Sequence, residues 1–210
     1  MSDYFITSPK PCSSKQINHK KLFKRLSLFF SLIFSTVMIV LLIWYAVHPS
    51  KPQFSLQDAV IYQMNLSSEH LLTSAMQVTL VSKNPNQRIG IYYDKLGAYA
   101  SYKGQQITMQ SFFPPFYQGH EDVNVLSSWL AGNLVPVSPS FAYDMGTDQP
   151  AGGFLLNVKL AGRVRWKVAT WTSGHYNLEV KCEAFMAYTK YSASGSPVSL
   201  MPGSQCHSSV

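Results

Sequence analysis

The chain of 210 residues has room for one ordinary domain and one further segment, and only 13% of its residues are charged, against about 25% in typical soluble domains. Its formal net charge of +7 is unevenly divided: residues 1–25 hold six Lys and Arg against one Asp, and residues 48–210 hold eleven against nine. Because the excess lies mostly in a short tail, the composition argues against a nucleic-acid-binding domain.

Residues 26–47 form one long apolar segment, LSLFFSLIFSTVMIVLLIWYAV, without a charge, a proline or a glycine. As a helix it would span roughly 33 Å at about 1.5 Å per residue, enough to cross a hydrocarbon core of about 30 Å. A buried helix of a globular core rarely stays apolar on all sides for so many turns. A cleaved signal peptide would have a shorter apolar region and a small-residue cleavage site, which residues 44–48 do not provide. The segment is predicted to be a transmembrane signal anchor.

The charges beside this segment predict its orientation. Residues 1–25 form a basic tail, whereas the first basic residue beyond the segment is Lys51. Lys and Arg are retained on the cytoplasmic side, so the amino terminus is predicted to be cytosolic and the carboxyl-terminal domain extracellular. The bilayer is thus a predicted partner, and the tail residues predicted to contact its anionic headgroups are Lys20, Lys21, Lys24 and Arg25.

After a short stalk at residues 48–53, residues 54–191 alternate between apolar and other side chains, a pattern typical of strands with one buried face. About seven such strands separated by turn residues predict an all-β domain, an antiparallel β-sandwich. The positions predicted to face the core are Phe54, Leu56, Val60, Met76, Val78, Leu80, Ile89, Ile91, Tyr93, Leu96, Ala98, Ala100, Tyr102, Phe154, Leu156, Val158, Leu160, Val164, Trp166, Val168, Tyr176, Leu178, Val180 and Cys182.

Several segments interrupt the alternation. Asn84-Pro85-Asn86 is predicted to be a turn, and Asp94-Lys95 a bulge or a bend. Residues 113–120 contain two prolines and are predicted to be a loop or an edge strand. Residues 122–141 fit a short helix as well as a strand. Residues 192–210 are small and polar and are predicted to form a flexible tail.

The cysteines follow the predicted topology. Cys12 is expected to be a cytosolic thiol. Cys182 and Cys206 lie on the oxidising side and are predicted to form a disulfide, with two unpaired thiols as the alternative. Such a bridge closes a loop of about 25 residues and would stabilise the domain by roughly 3 kcal/mol. The sequon Asn65-Leu66-Ser67 predicts glycosylation of Asn65 if the domain faces the lumen.

One face of a predicted strand is unusually basic and is the candidate binding surface. It could bind phosphate headgroups, the acidic surface of a partner protein or an anionic polysaccharide. The alternative is a solvated face, paired across the ladder with the strand that carries Glu179 and Glu183. The candidate contacts are Lys159, Arg163, Arg165 and Lys167.

Catalytic and cofactor motifs are missing from the sequence. It contains no G-x-S-x-G, no P-loop and no G-x-G-x-x-G, and its six histidines do not have metal-ligand spacing. His120-Glu121-Asp122 is interpreted as the polar surface of a loop. The chain is therefore predicted not to be an enzyme, with no catalytic residue, metal or cofactor.

A combination of motifs follows the basic tail and the single span: SKNPN at 82–86, GIYYD at 90–94, PPFYQGH at 114–120 and GRVRWKV at 162–168. Together they resemble the plant harpin-induced, non-race-specific disease resistance-like proteins. Those proteins carry the late embryogenesis abundant group 2 domain, also called the water-stress and hypersensitive-response domain. The resemblance is strongest to a senescence- and virus-induced plasma-membrane branch.

This resemblance implies a fibronectin-III-like or immunoglobulin-like sandwich, a location at the plasma membrane or plasmodesmata, and a role in pathogen response. It implies no catalytic residue. The chain departs from the family at Ala169, where a glycine is usual and where a bulge would be slightly strained. We expect a membrane-anchored defence or stress-response protein that binds protein or cell-wall partners. A desiccation protectant and an anionic-lipid-binding module are the alternatives, and homo- or hetero-oligomers are left open.

Overall fold

A computed structural model describes residues 19–46, 49–148, 153–187, 198–200 and 204–210. The contacts divide the chain into two compact units, Met1–His48 and Pro49–Val210. The cytosolic thiol predicted for Cys12 lies outside the described residues.

Among the described residues of the first unit, 19–46, there is one helix, α1 (His19–Ala46). Its residues Lys20–Leu42 are long and apolar enough to cross a membrane, and their side chains are exposed. The helix begins at His19, before the span predicted at residues 26–47. The four basic residues closest to the span therefore belong to the helix and not to a tail that precedes it. Their spacing of four residues places Lys20 beside Lys24, and Lys21 beside Arg25, along the helix surface.

The second unit is built from antiparallel strands and one short helix. Its elements are β1 (Gln53–Leu66), β2 (Leu71–Lys83), β3 (Ile89–Tyr102), β4 (Gln105–Gln106), β5 (Ser111–Phe113), β6 (Phe116–Gln118), β7 (Val123–Pro136), α2 (Pro139–Asp148), β8 (Gly153–Val168), β9 (Trp171–Thr172), β10 (Tyr176–Ala187), β11 (Val198–Leu200) and β12 (Ser204–Ser209). The all-β antiparallel class predicted from the sequence is confirmed. Of the alternatives left open for residues 122–141, the strand is correct up to Pro136.

The strands form one hydrogen-bonded sheet in the order β4-β3-β8-β10-β11-β1-β2-β7, with β12 also paired to both β10 and β1. The sheet curls until its two edges approach each other. The Met109 N–H donates to the Ala131 carbonyl at 2.8 Å, and the hydroxyls of Ser111 and Ser128 lie 3.0 Å apart. The two layers of the domain are therefore halves of one curled sheet.

The carboxyl-terminal segment differs from its prediction. Residues 192–210 were expected to be a flexible tail, but β11 and β12 lie between β10 and β1 and join the two halves of the sheet. The strand β12 has little apolar alternation to reveal it. It is held by backbone pairing, and Cys206 lies opposite Cys182 in the ladder.

Most of the predicted core positions are buried, and the exceptions have local causes. A bulge between Leu56 and Asp58 shifts the alternation of β1, because an extra residue reverses the side-chain direction. Ala59 and Ile61 are therefore buried, while Val60, predicted to be buried, is only partly so. Val168 and Tyr176 lie at strand ends and are also partly or largely exposed.

The helix α2 was not predicted from the sequence. It begins at Pro139, a residue favoured in the first turn because its missing N–H has no helical partner there. Phe141 is buried against the edge of the Tyr102 ring, with centroids 5.3 Å apart. The ammonium of Lys103 lies 3.3 Å from Asp144 and 3.2 Å from Asp148, which fixes the helix over the β3–β4 turn.

Candidate binding face

The candidate surface is the outward side of β3, β8 and β10, with β8 in the middle, and is called the cationic face below. On β8, buried residues such as Leu160 and Val164 alternate with the predicted basic residues, which are all exposed or partly exposed. The structure thus places the four predicted residues on one face: Lys159, Arg163, Arg165 and Lys167.

Arg165 is neutralised within the domain. Its Nε donates to Asp94 Oδ2 at 2.7 Å, and its Nη2 donates to the other carboxylate oxygen. His175 Nε2 lies 3.4 Å from the same carboxylate. The hydrogen bonds from Arg165 lower the pKa of Asp94, and those to Asp94 raise the pKa of Arg165. Both groups are therefore held in their charged forms.

The bulge predicted at Asp94-Lys95 is present and creates this pair. The register of β3 against β8 shifts between Tyr93 and Lys95, so that both Asp94 and Lys95 lie on the outer side between the buried Tyr93 and Leu96. A regular strand would have directed one of the two residues into the core. The extra residue brings a carboxylate to Arg165 and adds a lysine to the face.

Lys167 lies against two aromatic rings. Its Nζ is 5.6 Å from the Tyr92 ring centroid, 5.2 Å from that of Tyr117, and 3.3 Å from the Tyr92 hydroxyl. Tyr117 can approach because Gly90 lies beneath it: a Cβ at position 90 would be 2.2 Å from the Tyr117 hydroxyl oxygen. Cation–π contact and burial of the stem therefore hold this lysine against the domain.

Lys159 and Arg163 have different surroundings. In the ladder, Lys159 is directly opposite Lys181 of β10, and Arg163 is directly opposite Lys95 of β3. Neither Lys159 nor Arg163 forms an ion pair within the described part of the chain, whereas Lys95 lies 4.9 Å from the ring centroid of Phe112. The basic row therefore has two halves. In the neutralised half, Arg165 pairs with a carboxylate and Lys167 lies on aromatic rings. In the cation-facing half, Lys159 and Arg163 lie opposite other cations.

The basic strand β8 is paired with β10, the strand that carries Glu179 and Glu183, as the alternative interpretation expected, but neither glutamate lies directly opposite a basic residue. The register places Glu179 opposite Ala161 and Glu183 opposite Asn157, and the Glu183 carboxylate accepts from Lys181 at 2.7 Å. The main acidic partner of the row is Asp94, on the opposite neighbouring strand. Sequence alone could not identify it, because the pairing depends on the register of strands about 70 residues apart in the chain.

A groove of about 470 Å³ lies at the end of the cation-facing half that holds Lys159 and Lys181. Its lining includes Ala161, a small residue between Lys159 and Arg163 on the outer side of β8. The walls contain both anionic and cationic groups together with hydroxyls. Its lining residues are Tyr99, Lys159, Glu179, Lys181, His207 and Ser209, with Ala161 and the adjacent backbone.

The cationic face also concentrates the charge of the domain. Six basic residues and three acidic residues give it a net charge of +3, so the rest of residues 48–210 carries −1. The members of this count are Lys95, Lys159, Arg163, Arg165, Lys167 and Lys181 against Asp94, Glu179 and Glu183. The field near this face therefore favours anions.

The outward side of β1, β2 and β7 has another composition. The Tyr62 and Trp129 rings lie 5.2 Å apart and are 53% and 52% exposed. Beside them Gln77, Thr79 and Ser127 are joined by long contacts of 3.4–3.5 Å. We call these five residues the uncharged face.

Asn65 and the two cysteines, which were also singled out in the sequence, do not line this groove. Asn65 is exposed near the carboxyl end of β1, where its side chain can be reached. The Sγ atoms of Cys182 and Cys206 are 2.00 Å apart in a disulfide that joins β10 to β12. No group of three or more His, Cys, Asp or Glu that could hold a metal ion occurs among the residues that the structure describes.

Comparison with known proteins assigns the chain to a family. A family model described as late embryogenesis abundant protein matches residues 79–184. The chain is 45% identical over 217 aligned positions to NDR1/HIN1-like protein 26 of Arabidopsis thaliana, with all of both chains covered. This chain belongs to the NDR1/HIN1-like proteins. The resemblance of the sequence motifs to this family is thereby confirmed.

Two further similarities extend this comparison. NDR1/HIN1-like protein 1 of Arabidopsis thaliana is 46% identical over 184 positions, which cover 85% of this chain and 87% of that protein. A crystal structure of a protein from Archaeoglobus fulgidus is 12% identical and covers 64% of this chain and 98% of its own, with a TM-score of 0.31.

The Asn84-Pro85-Asn86 motif of this NDR1/HIN1-like protein is a buried turn. Asn84 Nδ2 donates to the carbonyls of Ile89 and Gly119, both at 2.7 Å. Asn86 Nδ2 donates to Asn84 Oδ1 and to the Ser50 carbonyl, both at 2.8 Å. These amides satisfy backbone groups where the chain passes from β2 to β3, so the motif is structural.

Ala169, where the NDR1/HIN1-like pattern led us to expect a glycine, lies in the turn between β8 and β9. Its φ of 50° is in the left-handed region, and the flanking Val168 and Trp171 are paired. The position belongs to a tight hairpin turn and not to a bulge, which corrects the expectation. A residue with a Cβ is strained in this conformation.

Proposed function

We propose that this NDR1/HIN1-like protein is a membrane-anchored plant defence or stress-response protein. Its β-domain is a non-catalytic binding module on the extracellular side of the plasma membrane, including plasmodesmata, with protein or cell-wall partners. One observation carries the proposal: α1 has its basic residues in its first two turns and is uncharged from Leu26 to Ala46. Positive charge at one end of an apolar helix favours a cytosolic amino terminus.

Two further observations support a binding role. The family comparison supports a plant defence or stress role, because the relatives are NDR1/HIN1-like proteins over most of the chain. The cationic face has a groove and a net charge of +3, yet it lacks a grouping of residues recognised as catalytic. A charged face without such a grouping is suited to recognition by electrostatic complementarity.

Glycosylation of Asn65 provides a test of the orientation. We expect the full-length protein expressed in plant cells to gain electrophoretic mobility after endoglycosidase treatment. The variant Asn65→Gln should already have that mobility and should not respond to the enzyme. The contrary result would be a wild-type protein that migrates like the variant both before and after enzyme treatment. It would contradict exposure of this domain to the lumen.

A further inference from the structure

We propose that the cation-facing half of the cationic face binds a linear carboxylated polysaccharide that runs along β8. Lys159 and Arg163 are the principal contacts, supported by Lys181 and Lys95 opposite them. The inference deepens the proposed function and rests on it for the access of the domain to extracellular polymers.

The first argument is that folding does not explain the facing cations. Like charges directly opposite each other in an antiparallel pair destabilise it. Here this happens twice on one strand, at Lys159 with Lys181 and at Arg163 with Lys95. In the neutralised half of the same row, Arg165 has a carboxylate partner. Lys181 also pairs with Glu183. Within the described residues, the members of the row with neither an ion pair nor an aromatic contact are therefore Lys159 and Arg163, and an anionic ligand would stabilise these two.

The second argument is the linear arrangement of these charges. Lys159 and Arg163 are four residues apart, which corresponds to about 13 Å along the strand at about 3.3 Å per residue. The small residue Ala161 lies between them, and the groove of about 470 Å³ extends from Lys159 to Ala161 without including Arg163. A chain molecule with an anionic group at regular intervals can contact both cation pairs at once. A single compact anion can contact only one of them.

The third argument is the mixed chemistry of the groove. Glu179 lines it beside Lys159 and Lys181, and its carboxylate has no hydrogen bond or ion pair within the described part of the chain. An ionised carboxylate only accepts hydrogen bonds, so a ligand group that contacts the exposed Glu179 directly would have to be a donor. Uronic acid units carry hydroxyls next to each carboxylate. The ionised phosphate of a lipid only accepts hydrogen bonds, so the phosphate itself cannot donate to Glu179.

The test is a binding titration of the full-length protein in nanodiscs of zwitterionic phosphatidylcholine. The probe is a short oligogalacturonate, and a neutral oligosaccharide of matched length is the ligand control. We expect saturable binding of the anionic probe only, weakening as salt rises because exposed charges are screened. Absence of saturable binding would overturn the inference.

A matched pair of variants tests the location of the site. Lys159→Gln with Arg163→Gln should weaken binding about tenfold, whereas Lys83→Gln with Arg88→Gln should leave it nearly unchanged. Lys83 and Arg88 are exposed and lie outside the cationic face, so the two variants lose the same charge. Equal weakening in both variants would overturn the proposed site in favour of a net-charge effect.

Nanodiscs with added phosphatidylserine separate a polysaccharide from a lipid surface. We expect no loss of probe binding in these discs. If the protein binds separate phosphatidylserine vesicles through Lys159 and Arg163 but not the oligogalacturonate, the ligand class is wrong. If Asn65 is not glycosylated but the probe still binds, only the proposed orientation is contradicted. A glycosylated protein without probe binding would count against this inference alone.

Discussion

The cationic face and the uncharged face lie on the same curled sheet, and in both of them inward and outward residues alternate except at the bulges in β1 and β3. On the cationic face the outward residues include six basic side chains, whereas the five residues of the uncharged face are aromatic or polar, with one carboxylate, Asp58, opposite Thr79. Their inward residues belong to one shared core. The contrast shows that the inward residues define the fold, while outward residues with the same spacing can carry different functions.

The disulfide gives the largest expected effect, because it joins β10 of the cationic face to the strand that bridges to β1. Reduction of wild-type protein, or Cys182→Ala with Cys206→Ala, should lower the free energy of unfolding by about 3 kcal/mol, as expected for closing a loop of this length. Urea denaturation with and without reductant measures it. A wild-type midpoint that does not respond to reductant would contradict the prediction.

Substitution of Asn84 tests how much the connection between β2 and β3 stabilises the domain. This connection links the uncharged face to the cationic face. Asn84→Ala should destabilise the domain by about 2 kcal/mol, because buried carbonyls lose their donor. Gln87→Ala, at an exposed position in the same connection, is the control. Chemical denaturation distinguishes them, and equal midpoints for the two variants would show that the buried turn does not hold the faces together.

Ala169 tests whether stability and binding on the cationic face are separable. Ala169→Gly should raise the free energy of unfolding by about 1 kcal/mol, because glycine relieves the left-handed strain. Binding of the anionic probe should not change. Thermal unfolding and the titration check the two parts, and a lower melting temperature would be inconsistent with strain at this turn.

The pair of Asp94 and Arg165 predicts an acid-dependent contribution to stability. The pKa of Asp94 is lowered in the folded state, so its contribution is present above the unfolded value of about 3.9 and is lost as pH falls through the lower folded value. The effect should be below about 1 kcal/mol, since the pair is partly exposed. Arg165→Gln should flatten the stability profile below about pH 4. An unchanged profile would show that the pair is not coupled to folding.

The smallest expected effect concerns the facing cations. Lys159→Gln should stabilise the domain by a few tenths of a kcal/mol, because it removes repulsion from Lys181 across the ladder. Lys181→Gln should gain less, because Lys181 also pairs with Glu183. Urea midpoints at low salt measure both. Destabilisation by Lys159→Gln would mean that the lysine has a favourable role in the fold and would weaken the contrast with the neutralised half.

The alternation of side chains predicted the fold class, most of the core and the residues of the basic row, because these depend on local spacing. The alternation did not predict which charged side chains lie opposite each other in the sheet. Lys95 and Arg163 are neighbours only through the pairing of β3 with β8, and the bulge at Asp94 sets that register. The strand β12 was missed because its short, polar sequence has no apolar period. Both failures come from contacts between distant parts of the chain.

The side of the membrane on which the β-domain lies is the central claim, and protease protection of sealed microsomes tests it most directly. We predict that a fragment containing residues 49–210 survives protease in intact vesicles and becomes susceptible once detergent opens them. A control cytosolic-facing protein should be digested in both conditions. Digestion of the β-domain in intact vesicles would contradict the account, because the domain would then lie in the cytosol, away from any extracellular partner.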